Sequence, residues 1–158
     1  MNQIDNEANF RQALESLDSD RQREVAAGFV EHVLHLSGDH RLERVIKTAA
    51  DSDASEDELS AALKSAHAVT FDSHARCGAE GHWSDQAGYF VARAAVAATT
   101  PSAQSRAGGP AWQAAMSARM AHTSMLIDDL SNEQRAHTEC EWQYQSLSDY
   151  LNALTERT

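Results

Sequence analysis

The sequence predicts an all-α protein: a single-domain bundle of six or seven helices over residues 1–158. Three observations predict it. Alanine is abundant while glycine (7) and proline (2) are scarce, proportions that suit long helices and not the frequent turns of a β-sandwich. Apolar residues recur at i, i+3, i+4 and i+7 in one segment after another, and no segment shows a strand pattern. A chain of 158 residues has the usual size of one domain and buries roughly 70% of its unfolded surface, enough for a core without staples.

The elements follow in order. Phe10, Ala13, Leu14 and Leu17 share one face of a first helix over Asp5 to Leu17. Asp18, Ser19 or Asp20 caps a second helix, which runs to Leu36 and buries Val25, Phe29, Val33 and Leu36. Ser37-Gly38-Asp39 stops it, and Leu42, Val45, Ile46 and Ala49 make a short third helix. Ser55 and Glu58 form a capping box for a fourth helix, carried by Leu59, Ala62, Leu63, Ala66, Thr70 and Phe71 to about Arg76. Gly78 and Gly81 mark a loop. Helix five starts near Ser84, and its face of Ala87, Phe90, Val91, Ala94, Ala95 and Ala98 is small enough to admit a close neighbour, which places it centrally. After the loop ending in Gly108-Gly109-Pro110, helix six carries Trp112, Ala115, Met116, Met120, Leu126 and Ile127. Ser131 to Gln134 is a second capping box. The last helix repeats Cys140, Tyr144, Leu147, Leu151 and Leu154, a seam that closes within the chain or, alternatively, pairs two copies as a homodimer.

Composition excludes several functions. With 13 Lys+Arg against 24 Asp+Glu the formal charge is −11, and the cations are not clustered, so no direct nucleic-acid binding is expected. No apolar run is long enough for a membrane span, and Met1 to Asp20 does not read as a secretory signal. Cys77 and Cys140 stand in no metal or redox spacing and read as reduced thiols of a cytoplasmic protein.

Eight histidines invite a search for chemistry. His32 and His35 are three apart, and His67 and His74 are seven apart with Phe71 between them, so two facing helices would bring four imidazoles to a zinc-type metal site. Glu31 and His35 could pair as carboxylate and base, though such pairs are mostly solvated surface contacts. Cys77, beside Arg76, reads as a structural thiol at a helix end. The Gly78–Trp83 segment offers His82 and Trp83 in a loop, where binding residues concentrate. No Glu-x-x-His pair of the di-iron bundles, His-Glu-x-x-His, nucleophile elbow, phosphate loop or dinucleotide fingerprint is present, so no catalytic residue and no cofactor are assigned.

Three stretches follow one another at short intervals: Phe29 to Leu36, Asp39 to Ile46, and Ala61-Ala62-Leu63-Lys64-Ser65-Ala66-His67-Ala68. Over about residues 26–98 they resemble a family of small alanine-rich helical proteins regarded as immunity proteins of bacterial polymorphic toxin systems. The pattern departs from that family at His35, where a proline is usual, and after His67, where Phe71-Asp72-Ser73-His74 replaces an alanine-rich histidine stretch. The resemblance implies an interaction protein that occupies and inhibits a basic partner, a role the negative charge suits. The expected contact surface combines the second and fourth helices with His32, His35, His67, His74, His82 and Trp83, beside an acidic patch of Asp51, Asp53, Glu56, Asp57 and Glu58. The alternative is a histidine-rich bundle that binds a metal or a small molecule.

Overall fold

Local capping sets the helix starts. Asn6 accepts the Asn9 N–H to open α1 (Glu7–Glu15), and Asp18 accepts the Arg21 N–H to open α2 (Ser19–Val33). The second helix ends three residues earlier than its periodicity suggests, because the chain tightens into a 3₁₀ turn over Leu34–Leu36. α3 (Arg41–Ala50) follows, then α4 (Glu56–Glu80), α5 (Trp83–Thr99), a 3₁₀ turn at Ser102–Gln104, α6 (Gly109–Leu126) and α7 (Glu133–Glu156). The computed structural model describes residues 3–80, 83–126 and 133–157, and describes side chains for all of these except 77–80, 83, 84, 126 and 133–137. Among the described residues there is no strand, and no helix is long and apolar enough to cross a membrane.

The capping box before α4 forms as expected: the Glu58 N–H donates to Ser55 Oγ and the Ser55 N–H donates to Glu58 Oε2, both at 3.1 Å. Its counterpart at Ser131 lies outside the described residues. α4 continues past Arg76 to Glu80, so Gly78 sits inside a helix where the sequence suggested a loop; a glycine there costs only about 1 kcal/mol. Before α6, Gly108 and Gly109 take φ of +91° and +86°. The positive φ makes glycine the residue this turn needs, and a Cβ on Gly109 would also stand 2.7 Å from Gln22 Oε1 and push the end of that side chain aside.

α5 is the central element. It packs most extensively on α6, then on α4, and also touches α2 and α3. Its Ala87, Ala92, Ala94, Ala95 and Ala98 are buried, as are Ala111, Ala114, Ala115, Ala118 and Ala121 of α6. Large side chains fill the surrounding space: Phe10 and Leu14 of α1, Phe29 and Val30 of α2, Leu42 of α3 and Leu147 of α7 all belong to one core. The buried stripe of α4 is Ala62, Ala66, Val69 and Ser73, which leaves Phe71 76% exposed where the sequence suggested core. Met120, also expected inside, points out from α6.

α7 docks differently. Of its seam, Leu147 is buried in the chain while Cys140, Tyr144, Leu151 and Leu154 are half-buried; the rest of its buried face is polar. Gln143, fully buried, donates to the Ala115 carbonyl at 3.0 Å and accepts from Arg119 Nε at 2.8 Å. Arg119 also donates to the Glu7 carboxylate at 2.9 Å, and the Tyr144 hydroxyl donates to that carboxylate at 2.7 Å. The Ile4 N–H donates to Ser148 Oγ, and the Tyr150 hydroxyl donates to Glu24. One guanidinium thus ties α1, α6 and α7 together, lying 5.3 Å from the Phe10 ring centre. Partial burial pulls the Glu7 carboxyl upward, but the hydrogen bonds from Arg119 and Tyr144 outweigh it and hold the group below its usual range.

Two predictions follow from this packing. Ala94→Leu or Ala118→Leu overpacks a fully buried position and lowers stability by about 1–3 kcal/mol in urea denaturation, whereas Phe71→Ala leaves it nearly unchanged. Because the Glu7 carboxyl is depressed in the folded state, its contribution is complete above the ordinary value of 4.5 and is lost as pH falls through the lower folded value. Stability of the wild type should fall faster than that of Glu7→Gln below pH 4.5, measured as thermal midpoints across a pH series.

Candidate functional site

The histidines fall into separate neighbourhoods. His32, on the last turn of α2, stacks on Trp142 of α7 with ring centres 3.5 Å apart and planes 4° from parallel. Its Nδ1 lies 3.0 Å from one oxygen of Glu139 and 3.2 Å from the other, and Glu139 is almost completely buried. This imidazole is committed to fastening α2 to α7. His35 falls on the 3₁₀ turn and is exposed, so Glu31 and His35 do not share a continuous helix. His67 and His74 are exposed on α4, where His74 meets Tyr89 of α5 with ring centres 5.5 Å apart.

The four-imidazole metal site therefore does not form. Among the described residues no group of three or more His, Cys, Asp or Glu side chains is placed to hold a metal. The reason is topological. α3 and α5 each pack on both α2 and α4, so the helices that carry the two histidine pairs are held apart. The same geometry divides the surface expected from the second and fourth helices. His82 and the side chains of Cys77 and Trp83 lie outside the described residues.

A shallow groove of about 360 Å³ runs between α2 and α3. Leu34, Ile46 and Ala50 provide an apolar floor, and Glu31, Glu43 and Asp51 stand on its rim with Lys47 as the one cation. Nearby, Arg23 is turned to the backbone, donating to the Ala49 and Asp51 carbonyls at 3.1 Å and closing the end of α3. Glu43 faces His40 at 3.6 Å.

Asp51 joins this groove to the α3–α4 turn, where Asp53, Glu56, Asp57 and Glu58 are all exposed. Asp51 and Glu58 accept backbone N–H groups, from Asp53 and Ser55 respectively. Among the described residues none of these five carboxylates is in an ion pair, although eight other carboxylates are: those of Glu7, Glu15, Asp18, Asp20, Asp39, Glu43, Asp72 and Glu139, with histidine as the partner of Glu43 and Glu139. Five carboxylates without ion pairs are therefore gathered along this shoulder.

The groove itself was not legible as a site in the sequence, where Glu31 stood out only beside His35. The available signal was the short link between α2 and α3, which sets Glu31 and Glu43 on neighbouring helices.

Removing the buried partner of His32 should loosen α7. Glu139→Ala is expected to cost about 1–3 kcal/mol in urea denaturation and to change Trp142 fluorescence, while His35→Ala changes neither. Compared with protein-family models, curated proteins and solved structures, the chain gives no match, so its functional reading rests on the surface chemistry described above.

Proposed function

We propose that this chain is an interaction protein that binds a basic protein partner through the acid-rimmed groove between α2 and α3 and the adjoining α3–α4 turn. The observation that carries the reading is the run of exposed carboxylates without cationic partners beside an apolar-floored groove. A lysine or arginine from a partner can lay its aliphatic stem on Leu34 and Ile46 and set its charge against Glu31, Glu43 or Asp51. No internal ion pair has to be broken at the turn for this to happen. An excess of one sign on the surface also speeds encounter with a target of the opposite sign.

The resemblance of residues 26–98 to immunity proteins supports an inhibitory role. In that role the chain covers a basic surface of a toxin domain, such as the cationic face a nuclease turns to its substrate. No catalytic step is assigned to this chain.

The test compares the wild type with a variant carrying Glu31→Gln, Asp53→Asn, Glu56→Gln and Asp57→Asn, which leaves the capping carboxylates Asp51 and Glu58 in place. Affinity capture from the native lysate at low salt should recover a basic protein that high salt releases. The variant should bind that protein roughly tenfold more weakly or worse. Equal capture by both forms, or recovery of partners that salt does not displace, overturns the proposal.

A further inference from the structure

A second depression has the opposite electrical character. A cavity of about 570 Å³ opens between α4, α5, α6 and the 3₁₀ turn before α6. Arg93, Arg106 and His67 line it, with Gln104, Ser117 and Tyr89, and no carboxylate contributes to its wall. In a chain with 24 acids and 13 Lys+Arg, a cavity without a single acid is a marked departure from the average surface.

The cations in it are unneutralised. Among the described residues neither Arg93 nor Arg106 has an ion pair or a side-chain hydrogen bond. The Arg93 guanidinium is steadied by ring faces, 5.8 Å from the centre of Tyr89 and 5.9 Å from that of Phe90. Such contacts orient a guanidinium and leave its N–H groups available.

The cavity continues along α4. A second hollow of about 570 Å³ shares His67, Thr70 and Tyr89 with the first and adds Phe71 and His74. Phe71, the most exposed large apolar side chain among the described residues, therefore lies in the extension of a cation-lined cavity. One end of the groove offers free guanidinium donors, and the other offers aromatic faces.

We infer that the α4–α5–α6 groove is a binding site for a small aromatic anion, with its phosphate or carboxylate head held by Arg93 and Arg106 and its ring laid along Tyr89 toward Phe71. The volume lies within the range of small-molecule sites, and a guanidinium pair matches the planar, bidentate geometry of such head groups. Charge complementarity favours an anion over a cation here. This site is separate from the acid-rimmed groove, and neither needs the other.

The test is isothermal titration of the intact protein with 1-naphthyl phosphate, 1-naphthol and inorganic phosphate. Naphthyl phosphate should bind with a Kd below roughly 1 mM, and the other two more weakly. Arg106→Gln, in the loop, and Arg93→Gln, in α5, should each weaken it about tenfold with circular dichroism unchanged. Arg44→Gln, on the exposed face of α3, should bind as the wild type does. The inference fails if naphthol or phosphate alone binds as tightly as naphthyl phosphate. It also fails if Arg44→Gln weakens binding as much as Arg106→Gln, or if no binding is seen.

Discussion

The close approach of α5 and α6 over their alanines is the constraint on which the rest of the structure depends. Alanine gives up almost no side-chain entropy when it is buried, and it lets two helix backbones come near each other. It also buries little area, so this contact alone supplies limited hydrophobic stabilisation. The large residues must then come from around the pair. Phe10, Leu14, Phe29 and Leu42 lie on helices that wrap the alanine centre, and their positions are fixed by it.

This arrangement also sets where the surface dips. α5 touches α2, α3, α4 and α6, so the valleys of the molecule fall between its neighbours and along its own flanks. One valley, between α2 and α3, carries glutamates and opens onto unpaired carboxylates. The other, between α4, α5 and α6, carries arginines and no acid. The net charge of −11 averages over both and describes neither.

Much of the fold was legible because local rules acted without competition. The capping box at Ser55 and Glu58, the small-residue face of α5 and the turn at Gly108 and Gly109 are each decided by neighbouring residues, and each formed. Failures came where two readings of one helix were close. On α4 the apolar residues allow two stripes. The structure buries Ala62, Ala66, Val69 and Ser73, and Phe71, two residues from Val69, falls on the opposite side. The histidines show the deeper limit. Spacing puts His67 and His74 on one face of α4, but which element meets that face depends on tertiary packing, and Tyr89 meets it where a second histidine pair was expected. Arg93 and Arg106 belong to different elements and share a cavity only after folding. A lone arginine in the alanine-rich run of α5 was the one sequence signal that pointed there.

The polar underside of α7 has a consequence for fidelity rather than for strength. An oily helix can slide or rotate on its bed and still be largely content. Glu139, Gln143 and Ser148 are buried, and Glu139 and Gln143 must meet His32, Arg119 and the Ala115 carbonyl, each at a fixed position on another helix. A shift of a single residue would strand several of these groups without partners away from water, a penalty that accumulates with each one. The last helix therefore behaves less like an adhesive strip than like a key: it has one seating, and near misses are rejected.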